Sequence, residues 1–281
     1  MKRLGLAMIA VVGSAPVWAA DLSRPQPVYK APVIAPAPTW AGFYAGGNVG
    51  YGWDPASAAF NPSTYVSTIM APFGGWVDTG PDSGPVALAV HPKGWLGGGQ
   101  FGYNWQQNSL VYGLEADIDW SGIKDSTSAP WSVNGTVGGD AAGLTGFVGL
   151  QQQLDYFGTV RGRIGWAHDS LLIYGTGGLA WGHVKTTFNT FGITPANLGF
   201  SPAQMAALQG GGYASTSGLR AGFAVGAGFE WMVAHNWSVK AEYLYVDLLG
   251  GDTLTIPGGV ANAGDLPVQV ARVGFNYFIR P

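Results

Sequence analysis

Residues 110–120 read LVYGLEADIDW. Three carboxylates, Glu115, Asp117 and Asp119, stand at every second position, with Leu114, Ala116, Ile118 and Trp120 in the alternate places. Successive side chains of a strand point to opposite faces, so the stretch reads as a strand with one acidic and one apolar face. The apolar face is Leu110, Tyr112, Leu114, Ala116, Ile118 and Trp120; the other is Gly113, Glu115, Asp117 and Asp119. The acids are either a catalytic group or one wall of an enclosed space, and the rest of the chain decides between them.

Only 10% of the 281 residues are charged, while Gly occurs 46 times and the chain holds 12 Trp, 12 Tyr and 13 Phe. Ordinary soluble domains are about 25% charged, so this composition suits an outer surface that meets something other than water. Outside the N-terminus no run of about 18 apolar residues exists, which excludes spanning helices. The start, MKRLGLAMIAVVGSAPVWAADLSRP, joins the basic Lys2 and Arg3 to an apolar centre, Leu4–Val12, and a small-residue cleavage pattern, Val17-Trp18-Ala19. It reads as a signal peptide over 1–19, cleaved to leave Ala20-Asp21 at the mature end. Removing Lys2 and Arg3 leaves 11 basic against 16 acidic residues, a balance that offers nucleic acid no electrostatic attraction. The absence of cysteine excludes disulfide scaffolds and thiolate metal sites.

Residues 24–38 contain five prolines, so 20–39 is read as an extended periplasmic tether. From Trp40 the texture changes, and 40–281 reads as one domain. Segments of period-two alternation recur near 41–53, 95–106, 109–120, 154–167, 171–185, 219–232, 236–248 and 267–279. The gaps alternate between short turns (Gln107-Asn108, His168-Asp169-Ser170, Ala234-His235) and long loops near 54–94, 121–153, 186–218 and 249–266. This predicts an all-β fold, an eight-stranded antiparallel up-and-down transmembrane barrel with short periplasmic turns and long extracellular loops. In lipid every backbone polar group must be satisfied within the protein, which a sheet achieves only by closing on itself.

Alternation then sorts the charges. The face with Glu115, Asp117 and Asp119 turns inward, as do Arg161 and Arg163 in "FGTVRGRIGW", Arg220 and Glu230 in "LRAGFAVGAGFEW", Lys240 and Glu242 in "WSVKAEYLY", and Arg272 with Asn276 in the last strand. The first two strands add Asn48, Gln100 and Asn104. Five acids meet five bases in a lumen that eight strands make only wide enough for side chains. Buried charges must be paired, so the expectation is an ion-pair network with the acids of EADIDW facing the arginines of the adjacent strand. A glycosidase-like carboxylate pair is the rival, but acids beside two arginines make poor general acids. No catalytic, metal or cofactor site is expected, and no enzyme activity. "GGGQFG" at 97–102 has the spacing of a dinucleotide loop but no helix pattern after it. His91, His168, His183 and His235 lack metal-ligand spacing. The inward and outward phases of the second and fifth strands, and of Trp181, stay open.

The stretches WAGFYAGGNVGYGW (40–53), GLEADIDWSGI (113–123), VRGRIGWA (160–167), YGTGGLAWGHV (174–184), GFAVGAGFEW (222–231) and NWSVKAEYLYVDL (236–248) together resemble the small alphaproteobacterial outer-membrane β-barrel proteins, major surface antigens often labelled "porin family". The resemblance implies a Gram-negative outer-membrane location among lipid, insertion by the barrel-assembly machinery, and a structural part in envelope integrity. It further implies covalent attachment to peptidoglycan through Ala20-Asp21. In some members it implies haem binding, adhesion or immune contact by loops, for which Phe73, Trp76, Trp131 and Phe191 are the aromatic candidates here. A narrow porin for small solutes is the transport alternative. Barrels of this kind usually end on an aromatic residue, whereas this chain carries three residues beyond Phe278.

Overall fold

A computed structural model of the protein describes residues 39–280 except 55, 83, 196–199, 211, 252, 257–258 and 263–264. The expected signal peptide and most of the tether, including Ala20 and Asp21, lie outside the described residues. Eight strands form the ring: β1 (Gly42–Trp53), β2 (Lys93–Gln107), β3 (Leu110–Val137), β4 (Asp140–His168), β5 (Leu171–Pro195), β6 (Tyr213–Ala234), β7 (Trp237–Leu248) and β8 (Leu266–Ile279). Each is antiparallel to its neighbours, and β8 closes on β1.

The register fixes the geometry. A paired row that leaves β1 at Phe43 passes Tyr103, Leu114, Gly162, Gly177, Val225, Tyr245 and Gln269. It returns to β1 at Trp53, ten residues further on. Ten residues are roughly 33 Å along a strand, against roughly 38 Å for eight strand spacings, so the strands tilt about 40°. The outward face carries two aromatic belts. Phe43, Tyr103, Trp105 and Tyr112 lie near the short turns with successive ring centroids 4.5, 4.7 and 5.7 Å apart. Tyr51 and Trp95 lie at the far end, 5.5 Å apart. From Trp95 to Trp105 is roughly 33 Å of tilted strand, or about 25 Å along the barrel axis, the height of the lipid-facing band of outer-membrane barrels. Between the belts Phe101, Ile164, Leu179, Phe229, Val273 and Phe275 are exposed.

The structure also settles the open phases. On β2, Leu96, Gln100 and Asn104 turn inward and Trp95, Phe101 and Trp105 outward; on β5, Leu172, Tyr174 and Ala180 turn inward, and Trp181 lies on the outer face.

Two of the four expected long loops are corrected. Residues 121–153 are not a loop: β3 and β4 continue past the membrane as one hairpin, paired residue by residue from Ile123–Leu154 to Val137–Asp140. It turns at Gly138-Gly139, with φ of 63° and 96°, a left-handed conformation that glycine adopts without strain. β5 and β6 lengthen likewise and pair as far as Asn189–Tyr213. The inner face of this extracellular sheet buries Trp131, Val133, Leu144, Val148, Leu150 and Phe188. Across it lies helix α1 (Pro62–Met70), started by Pro62 and an Asn61 side chain that accepts the Thr64 amide at 3.3 Å. Tyr65, Val66 and Met70 of α1 join Leu208 of helix α2 (Pro202–Gly210) and Phe60, Leu88 and Val90 of a short two-stranded sheet in that core. The Tyr65 hydroxyl donates to the Leu208 carbonyl at 2.8 Å.

The extracellular core is therefore a packing unit of its own above the barrel. Trp131→Ala is expected to cost it about 3–5 kcal/mol. Protease added to intact cells should then cut within residues 62–78, while the unboiled protein keeps the gel mobility of a folded barrel.

Candidate functional site

The period-two pattern carries ten ionisable side chains inward, and all ten are buried. Glu115 of β3 stands opposite Arg161 of β4. Its Oε1 accepts from Arg161 Nη2 at 2.8 Å and from Lys240 Nζ at 2.9 Å, and its Oε2 from the Tyr44 hydroxyl at 2.8 Å. Asp117 accepts from Arg161 Nη2 at 2.8 Å, Arg272 Nη2 at 3.0 Å and the Thr159 hydroxyl at 2.9 Å. Asp119 pairs with Arg272 Nη1 at 2.9 Å. Glu242, opposite Arg272 in the β7–β8 register, meets Arg272 Nη2 at 2.6 Å and Arg161 Nη1 at 3.1 Å. A second centre forms at Glu230, which takes Arg163 Nη2 at 2.7 Å and the Asn276 amide at 2.7 Å. The Arg163 guanidinium lies 4.1 Å from the centroid of the Tyr174 ring.

Nine of the expected ten residues are thus linked. Arg220 is buried too but sits elsewhere, opposite Gly182 at the extracellular end of β6, ten residues from Glu230 along the strand. Five acids and five bases thus lie buried inside the barrel, nine of them in this one cluster. Tyr44, Thr159, Tyr174 and Ser238, the last donating to Glu230 at 2.5 Å, were not singled out in the sequence. Parity signalled Tyr44, which lies two and four residues before the inward Gly46 and Asn48. Tyr174 lay in the strand whose phase was open. Gly102 faces the same space: a Cβ there would overlap the Tyr44 ring, so glycine is what admits the phenol to Glu115.

Both ends of the network are closed by apolar layers. Toward the periplasm lie Trp40, Val111, Leu172, Met232 and Phe278, and toward the outside Leu96, Ile123, Phe157, Leu244, Val246 and Val270. Phe278, near the chain's end, is part of the plug rather than of the lipid face. Trp40 is fully buried, and its amide donates to Gln106 Oε1 at 2.7 Å. Arg280 donates to the carbonyls of Thr39 and His235, tying the start of the barrel to its last strand.

Of the aromatic candidates for ligand contact, Trp76 and Trp131 are buried in the extracellular core and Phe73 packs against it; Phe191 alone is exposed, stacked on Phe147 at 5.6 Å. The four histidines stay dispersed, and among the described residues no group of three or more His, Cys, Asp or Glu could hold a metal ion. Above the outer apolar layer, Asp54 is buried, and neither carboxyl oxygen has a hydrogen-bond partner among the described residues. Burial, with the Asp247 carboxylate beside it, pushes the Asp54 carboxyl from an ordinary 3.8 to about 7.

The two charge clusters make distinct predictions. Glu115→Leu leaves Arg161 and Lys240 short of a buried partner and should cost about 3–5 kcal/mol, read by urea unfolding in lipid vesicles. Asp54 keeps in the folded barrel a proton that the unfolded chain has released, so stability at the extracellular rim should fall as pH rises from about 4 to about 7. The protection factor of the Asp54 amide, which donates to the Pro92 carbonyl at 2.9 Å, is its intrinsic exchange rate divided by the observed one; it should fall over that range in the wild type and much less in Asp54→Asn.

Residues 7–277 match the family model described as outer membrane protein beta-barrel domain. The 31 kDa outer-membrane immunogenic protein of Brucella melitensis biotype 1 is 33% identical over 281 residues, 99% of each chain. The 22 kDa outer membrane protein of Rhizobium leguminosarum bv. viciae is 29% identical over 220 residues, 78% of this chain and 69% of that one. Among solved structures, the attachment invasion locus protein Ail of Yersinia pestis aligns with 85% of this chain and 99% of its own at 13% identity; the TM-score of 0.33 is too low to carry an argument. The family match over nearly the whole length and the eight-stranded ring agree with the resemblance read from the sequence: this chain belongs to the outer membrane protein beta-barrel domain family and is an outer-membrane protein.

Proposed function

We propose that the protein is a structural, non-conducting barrel that supports the envelope by joining the outer membrane to the cell wall. The observation that carries this reading is the filled lumen. Nine paired side chains occupy the middle of the barrel, and apolar layers close both ends. A porin needs an open, polar path, and eight strands leave no width for one beside these side chains. Desolvating such a network is costly, so the barrel gains a stiff, specific interior rather than a route for solutes.

The periplasmic mouth supports the second half of the reading. A pull on the chain ahead of Thr39 reaches the barrel first at Trp40, buried against Phe278 with ring centroids 6.0 Å apart, and at the Arg280 contacts. A proline-rich segment ahead of that anchor is a semi-rigid spacer suited to span toward peptidoglycan. Ala20-Asp21, at the expected mature terminus, is the attachment point in this reading. Outer-membrane lipid surrounds the barrel, and the barrel-assembly machinery inserts it.

Two measurements test the two halves separately. Purified protein in planar bilayers should give no discrete single-channel steps; regular steps would overturn the structural reading in favour of a narrow porin. Sacculi boiled in detergent and digested with muramidase should release an N-terminal peptide beginning at Ala20 that carries a muropeptide. Sacculi that yield the protein without one would remove the covalent tether.

A further inference from the structure

Of the basic residues described, Arg161, Arg163, Arg220, Lys240 and Arg272 are buried, and Arg280 closes the periplasmic mouth. The other three, Lys93, Lys124 and Lys185, are exposed and fall on one row of the sheet. Lys93 stands opposite Lys124, Lys124 opposite Gln153, and Gln153 opposite Lys185. All four side chains are on the outward face, since their neighbours Ile123, Gln152, Leu154 and Val184 are buried.

Like charges directly opposite one another destabilise a sheet. None of the three lysines has an ion-pair partner among the described residues. The carboxylate nearest in sequence to Gln153, Asp155, is held by Gln153 Nε2 at 2.6 Å and faces His183 Nδ1 at 2.8 Å. Asp125 is opposite the buried Gln152 and accepts the His91 amide at 2.8 Å. Among the described residues the row has no counterion.

Its height identifies the counterion. Lys93 lies two residues beyond Trp95 of the outer aromatic belt, roughly 7 Å along the strand, at the boundary between lipid and water. Because the strands tilt, the row climbs about 3 Å per strand, so Lys185 stands about 9 Å farther from the membrane than Lys93. There the row runs into an open groove of about 580 Å³ on the outside of the extracellular sheet. Lys185, Ser126, Ser128, Gln151, Thr187 and Asn189 line it with hydroxyl and amide groups. Phe191 and Tyr213, both exposed, flank it with aromatic rings. Below the row, Trp95, Trp120 and Leu179 present bare apolar surface.

Apolar surface, cations, then hydroxyl and amide groups with aromatic flanks: the order outward is that of acyl chain, phosphate and sugar. We propose that this face binds one phosphorylated glycolipid of the surrounding outer leaflet. Lys93 and Lys124 hold its phosphate, Lys185 meets a further acidic group, and the groove takes the saccharide. The site is independent of the cell-wall tether.

The test uses the full mature chain refolded in detergent and native mass spectrometry. The probe is a bisphosphorylated glycolipid bearing its core sugars, compared with its dephosphorylated form, its sugar-truncated form and inorganic phosphate. The wild type should retain one glycolipid. K93Q/K124Q/K185Q should weaken retention about tenfold or more, and the triple arginine variant should hold within about threefold. The dephosphorylated lipid should bind the wild type as weakly as the intact lipid binds the triple glutamine variant. Q151A/N189A should weaken binding of the sugar-bearing lipid and leave the truncated lipid unaffected. Equal retention by wild type and triple glutamine variant, both migrating as folded barrels, would overturn the proposal. So would displacement of the lipid by inorganic phosphate or a soluble sulfated oligosaccharide at equal concentration, because the row would then face solution anions rather than the leaflet.

Discussion

The structure rests on one constraint: inside a bilayer, a backbone N–H or C=O has no water to bond. Each of the eight strands meets this by pairing on both sides, and the pairing of β8 with β1 removes the edges that an open sheet would leave bare. Closure with eight strands and a stagger of ten residues sets the diameter, and the diameter leaves a lumen that side chains must fill. The aromatic belts, the outward apolar face and the inward charges are consequences of that ring.

The filling is ionic. An apolar interior of the same volume would cost less desolvation. Here each charge is held by several partners: Glu115 by Arg161, Lys240 and Tyr44; Asp117 by Arg161, Arg272 and Thr159. Such shared pairing fixes a single arrangement of four strands at once, since Arg161 of β4 reaches β3 and β7, and Arg272 of β8 reaches β3 and β7. The charges also keep the inward face unlike the outward one, so a strand shifted by one residue would place them in lipid.

Above the membrane the same sheet changes its role. Once water can satisfy the backbone, β3 to β6 need not close and continue as an open sheet, whose inner face packs on α1, α2 and a short two-stranded sheet. The outer face of that extension, adjoining the lysine row, offers hydroxyl and amide groups beside the rings of Phe191 and Tyr213. One set of strands thus serves as membrane span, lid over the lumen and external platform.

What the sequence determined by itself was local. Alternation with period two named the strands, and parity along each strand put Glu115, Asp117, Asp119, Arg161 and Arg163 on one face because successive side chains of a strand oppose each other. Gln107-Asn108 and His168-Asp169-Ser170 marked tight turns, at which Asn108 and Asp169 adopt positive φ. What the tertiary structure decided was everything that depends on register between strands. Residues 121–153, rich in small polar side chains, looked like a loop, yet their backbone pairs along its length with β4. Trp76 and Trp131 looked available to a ligand, yet an opposing helix buries them. Arg220 shares the inward parity of the other charges but stands at the outer apolar layer, because height in a tilted ring follows from the stagger and not from the strand's own pattern. Lys93, Lys124 and Lys185 are separated by 31 and 61 positions in the chain and become neighbours only when four strands are laid side by side.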